Sequence, residues 1–209
     1  MKSSKFLFSL LVIVTFLIGL LSKKILNTDE LIYQSLSDLL TVEQLQTNLN
    51  FQKKWEWLSY MFIPLLLLIK LSIIASVLDI GVFFYNKKLK YKQIFKLVLK
   101  ADFLFLIAIF VKIIWFYFIK HNFTLLDLQY FYPLSAINIT GYQDLDPWFV
   151  YPFQVLNLFE VAYWFILAYF LGKELKISTE KSMNIVASSY GVGLVIWVVV
   201  VMFFTVNMS

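Results

Sequence analysis

Arginine and cysteine are missing from this 209-residue chain, and histidine occurs once, at His121. Without cysteine there are no disulfides, no thiol nucleophiles and no thiolate metal sites. Without arginine the chain lacks the planar fork with which lipid-phosphate enzymes clamp their substrates. His121 has no second imidazole to share a metal with. Metallopeptidase, serine-hydrolase and phosphate-loop motifs are also missing. Asp144 and Asp146 stand beside Pro147 and read as turn residues rather than as a catalytic pair. The sequence therefore predicts a non-enzymatic protein with no cofactor and no metal. Charge is scarce too, at 15% of residues against about 25% in soluble domains.

What fills the chain instead is apolar: 61% of its residues are hydrophobic and 19% aromatic. The excess is gathered into five runs, at about residues 6–21, 58–85, 102–119, 152–171 and 183–206. Runs of this length predict membrane-crossing helices. The expected fold class is all-α: one polytopic membrane domain over residues 1–209, a five-helix bundle with short amphipathic interfacial helices. The first run is short for a span, at about 24 Å of helix. No small-x-small cleavage site follows it, so an uncleaved anchor is expected. Two outer segments, 22–57 and 120–151, separate the runs. Asn27 with Glu30 and Thr41 with Gln44 look like helix starts, predicting two short amphipathic helices over 22–57. Aromatic residues of 120–151, including Tyr130, Phe131, Tyr132, Tyr142 and Trp148, predict an interfacial cap.

All 18 basic residues are lysines, and the net charge is +5. They flank the apolar runs, which points to lipid headgroups and not to nucleic acid. With the N-terminus inside, eleven loop and tail lysines fall on the inner side, Lys2 and Lys5 among them, and five on the outer. The positive-inside rule therefore predicts a cytoplasmic N-terminus and an outer C-terminus, in the plasma (inner) membrane of a bacterium. Lys88, Lys92, Lys96 and Lys100 recur every fourth residue and predict a basic stripe on an amphipathic helix over 86–100 that binds anionic lipid.

Four ionisable residues lie inside the runs: Lys70, Asp79, Lys112 and Glu160. Such groups need partners or water. Depth along the helices predicts a Lys112–Glu160 pair, brings Lys96 or Lys100 to Asp79, and leaves Lys70 without an obvious partner. The set reads either as structural ion pairs or as an ion or proton path. In the last run Ala187 and Gly191, and Ser189 and Gly193, are four apart, a spacing that lets helices approach closely within the chain or across a homodimer.

Three stretches carry a family resemblance: DIGVFFYNKKLKYKQIFKLVLKADFLFLIAIF, NLFEVAYWFILAYFLGKELKIS and STEKSMNIVASSYGVGLVIW. Over about residues 79–197 the chain resembles the Yip-domain (Ypt-interacting protein-like) membrane family. That resemblance implies five spans, a cytoplasmic N-terminus and no enzymatic activity. Eukaryotic members engage Rab-type GTPases through an N-terminal cytoplasmic region, of which this sequence carries about five residues before its first run. The expected role is a membrane scaffold or accessory subunit with lipid, protein or homo-oligomer partners. A small transporter or pore subunit using the embedded charges is the alternative.

Overall fold

The structure is a computed structural model that describes residues 4–37 and 39–208. Lys2 of the charge count lies outside the described residues. Helices run α1 Ser4–Ile25, α2 Thr28–Ser37, α3 Val42–Phe84, α4 Tyr91–Phe118, α5 Leu125–Tyr130, α6 Ile137–Thr140, α7 Pro147–Val155, α8 Leu158–Leu175, α9 Thr179–Val186 and α10 Val192–Met208. A π-helical turn, Ala187–Gly191, joins α9 to α10 without a break. Among the described residues, β structure is limited to one isolated antiparallel bridge, Ser135 with Asn157.

Three helical stretches are long and apolar enough to cross a membrane: Ser4–Ile25, Val42–Phe84 and Thr179–Met208. The all-helical class and the membrane character of the helices follow. Helices α4 and α8 are also long, at 28 and 18 residues, but carry five and three charged residues.

Several predicted boundaries are corrected. The capping box of Thr41 and Gln44 is present, with Gln44 N–H donating to Thr41 Oγ1. The helix it starts does not stop before the second run. It continues for 43 residues, about 64 Å. Residues 42–57 are therefore an extension of α3, not a separate interfacial helix, because no breaker interrupts the chain before Leu58. At the other predicted start, the Asn27 main-chain carbonyl accepts the Glu30 N–H. The basic segment 86–100 is likewise not an independent helix. Its residues from Tyr91 onward form the first turns of α4, and Lys88 precedes the helix. Ile94, Leu97, Val98 and Leu99 there are buried, which welds the segment into the bundle.

Packing is concentrated at the lysine-rich end. The core gathers Leu71, Leu78 and Val82 of α3, Ile94 and Val98 of α4, Leu167 and Leu171 of α8, and Ile185 and Val186 of α9. From α1, Leu11 reaches the same core. Close approach there depends on small residues. A Cβ on Gly81 would lie 2.5 Å from Ser189 Cβ, and one on Gly191 would lie 2.6 Å from the Trp164 ring. Gly193 faces Val77, at 3.3 Å from such a Cβ. The small residues Ser189, Gly191 and Gly193 thus pack against α3 and α8 of the same chain.

Candidate functional site: a buried polar layer

Polar side chains from four elements meet inside the bundle. Lys70 of α3 donates to Asp102 Oδ1 of α4 at 2.6 Å, and Asp102 is only 2% exposed. The Lys70 ammonium also lies 4.5 Å from the Phe105 ring centre, a cation–π contact. Phe105 packs on Tyr163 of α8 at 4.9 Å, and Tyr163 packs on Tyr190 at 5.5 Å. Tyr190 donates its hydroxyl proton to Glu160 Oε1 at 2.7 Å, and Trp164 Nε1 donates to the same oxygen at 3.0 Å. Counted at 1.5 Å per residue from the lysine-rich helix ends, these groups lie at about 16–23 Å. They form one layer.

Local sequence explains how each arrives. Ser188 Oγ donates to the Asn184 carbonyl at 2.7 Å, and Ser189 Oγ donates to that of Ile185 at 2.6 Å. Two adjacent hydroxyls bonding back four residues compete with the helical ladder, and the chain widens into the π turn that carries Tyr190. Gly191 follows, and its bare Cα lets the Trp164 ring in.

The N-terminus of α8 is set by a break that corrects the predicted 152–171 span. Helix α7 ends at Val155 and α8 starts at Leu158. Asn157 serves both ends. Its Nδ2 donates to the carbonyls of Gln154 and Val155 at 2.8 and 3.0 Å, while its Oδ1 accepts the Glu160 N–H at 2.7 Å. The loop supplies the remaining backbone partners. Ala136 N–H donates to the Leu156 carbonyl at 2.9 Å, and Leu158 N–H donates to that of Leu134 at 3.1 Å. Irregular backbone inside an apolar bundle persists only when satisfied in this way.

The predicted charge pairings do not form. Among the described residues Lys112 and Glu160 make no ion pair. The reason is register. Phe105 and Tyr163 are level, so Lys112 lies about 10 Å outward of that contact and Glu160 only about 4–5 Å. The break at Asn157 takes residues 152–157, which the predicted span stacked above Glu160, out of α8. Lys70, expected to lack a partner, has Asp102. Asp79 is in no ion pair among the described residues, and Lys100 lies over the Phe170 ring at 5.5 Å. Sequence reasoning passed over Asp102, Tyr163 and Tyr190. Asp102 sat at a predicted span boundary, where a carboxylate looks solvated. The N-x-x-E spacing of Asn157 and Glu160 is a signal that could have located this helix start, which the predicted span ran through.

Tyr163 is fully buried, and its hydroxyl is the one buried side-chain polar atom without a hydrogen-bond partner among the described residues. Both carboxylates of the layer, Asp102 and Glu160, lie within electrostatic reach of it.

A second polar cluster lies outside the bundle core. Lys120 donates to Asp127 at 2.7 Å, and Thr124 donates to Asp127 from its main-chain N–H at 2.8 Å and its hydroxyl at 3.0 Å. Partial burial pushes the Asp127 carboxyl up, but the Lys120 and Thr124 bonds outweigh it and bring it down to about 2. His121 stands nearby in an open cleft of about 700 Å³ between the ends of α1 and α4. No family model, curated protein or solved structure matches this chain.

Proposed function

We propose that the protein is a non-enzymatic integral membrane scaffold or accessory subunit. In this reading it crosses a bacterial inner membrane five times, through α1, α3, α4, α7 with α8, and α9 with α10. The N-terminus is cytoplasmic and the C-terminus outside. The observation that carries the reading is that the embedded charged groups of the layer are engaged with protein groups: Lys70 with Asp102, and Glu160 with Tyr190 and Trp164. A fixed polar layer of this kind sets helix register. The resemblance to Yip-domain proteins over residues 79–197 points the same way. At the lysine-rich end, Lys92 and Lys100 are exposed and Lys96 half-buried on α4, with exposed Lys88 just before it. These hold anionic headgroups, at roughly 1 kcal/mol per lysine near the surface. The protein partner, or second copy, docks on the outer cap.

Flotation with vesicles of mixed neutral and anionic lipid, and flux measurements on reconstituted proteoliposomes, test the reading together. Replacing Lys88, Lys92, Lys96 and Lys100 with Gln should abolish the preference for anionic vesicles. No ion or proton flux should appear above that of empty vesicles; flux would replace the reading with the alternative, a small transporter or pore subunit. A helix break and a π turn bordering one polar layer favour that alternative.

A further inference from the structure

The cleft beside His121 lies opposite the lysine-rich end, and its volume of about 700 Å³ falls in the range of small-ligand sites. Leu26 and Phe116 line it and are buried, at 3% and 1% exposure. Ile25 and Tyr117 also line it and are exposed. Leu21 and Leu17 follow Ile25 down α1 at helical spacing, and Ile114 and Phe110 follow Tyr117 down α4; all are exposed. Two apolar rails therefore lead from the cleft along the lipid-facing sides of these helices. The ionisable groups of the lining are Glu30, His121 and Asp127. Asp127 is answered by Lys120, and both of its oxygens accept hydrogen bonds. Glu30 is in no ion pair among the described residues, and Gln34 Nε2 donates to its Oε1 at 3.2 Å. Lys23 is held by Asp29 and Glu56 at 3.1 and 2.6 Å, and Lys24 does not line the cleft.

We propose that this cleft binds a membrane phospholipid whose headgroup ends in a primary ammonium. The ammonium sits at Glu30, the phosphate beside His121 and Asn122, and the acyl chains along the two rails. A ligand with a polar end and long apolar chains fits a cleft whose walls run on into lipid-facing residues. A carboxylate without a counter-charge selects a cation, and the side-chain oxygens of Glu30, Asn27 and Asn122 suit one that carries N–H donors. A trimethylammonium has no donor and favours open aromatic faces. The Phe116 ring at the floor is already packed against Phe123 and Phe131, at 4.6 and 5.1 Å. An anionic headgroup would leave Glu30 unanswered. The site rests on the membrane reading, which puts the cleft at headgroup level, and not on the scaffold role.

The test uses the full-length protein in mild detergent, with native mass spectrometry counting retained lipid and thermal unfolding as a second readout. Phosphatidylethanolamine, phosphatidylcholine and phosphatidylglycerol with matched acyl chains are titrated in turn. Wild type should retain phosphatidylethanolamine at concentrations about tenfold below those that phosphatidylcholine needs. Glu30→Gln, which keeps the shape and removes the charge, should abolish that preference. Glu43→Gln, at an exposed carboxylate that does not line the cleft, should keep it. Replacing Lys88, Lys92, Lys96 and Lys100 with Gln should lower retention of phosphatidylglycerol and leave the preference in place. Equal retention of the ethanolamine and choline lipids, or a preference that survives Glu30→Gln, would overturn the site. So would loss of the preference in the four-lysine variant, which would put the lipid at the opposite end. Glycerophosphoethanolamine, a headgroup without chains, should not compete at the lipid's concentrations; equal competition would make the ligand a soluble amine and overturn the lipid assignment. Failure to float with vesicles of any composition would end the membrane reading and the site with it.

Discussion

The two ends of the bundle are built on different terms. At the lysine-rich end helices touch through Gly81, Gly172, Gly191 and Ser189, and side chains are buried to within a percent or two of complete. At the other end contacts are made with few fully covered side chains: α1 meets the first half of α3 through Phe16 and Tyr60 and through Lys23 and Glu56, and α10 meets α7 through Trp197 and Tyr151. Helix α10 has no buried residue, and in α3 only Leu45 is buried before Leu71. Apolar runs extend through both ends. Hydropathy therefore says which residues tolerate lipid, while small residues and polar pairs decide which helices meet. Without water to drive apolar surfaces together, packing rests on close backbone approach and on satisfied polar groups.

The largest effect should come from breaking the polar layer at the packed end. Asp102→Asn leaves Lys70 without its counter-charge, and thermal unfolding in detergent should show a loss of about 3 kcal/mol, at the low end for buried pairs because Lys70 is 43% exposed. Replacing both partners together, Lys70→Met with Asp102→Leu, should recover most of it. Recovery no better than the single change would mean that the pair is not the layer's anchor.

Glycine substitutions give the most direct contrast between the ends. Gly191→Ala drives a methyl group into the Trp164 ring and should cost about 1–3 kcal/mol. Gly19→Ala in α1 meets nothing within 4 Å and should raise stability by about 0.5–1 kcal/mol through helix propensity. Equal responses at the two glycines would mean that the two ends pack alike.

A further small effect belongs to the loop at the other end. Asp127 titrates near 2 in the folded chain against an ordinary 3.8, so its contribution is complete above about pH 4 and lost as pH falls toward 2. Asp127→Asn should remove roughly 1 kcal/mol at neutral pH, discounted because Lys120 is 42% exposed. It should also flatten the acid limb of the stability curve, while a steep limb in the variant would assign acid sensitivity to other groups.

Much of the framework was legible in the residues. Apolar runs marked the long helices, Thr41 with Gln44 marked a real helix start, and the small residues of 187–193 marked a real seam. What sequence missed was continuity and level. Nothing local announces that 42–57 and 58–84 are one rod, because each half alone looks like a complete element. The Lys112–Glu160 pairing failed because depth was counted from assumed span ends, and the turn at Asn157 shifted one ruler against the other. The Lys70–Asp102 pair joins residues 32 positions apart on antiparallel helices, and only their packing sets that register.

One amide side chain, that of Asn157, ties off the end of one helix and the beginning of the next. One side chain therefore sets the angle between the two helices. The segment bearing Leu134 and Ala136 is bonded on both sides of that break, within one helical turn of Glu160. The position of residues 134–136 is thus tied to that of the Glu160 carboxylate.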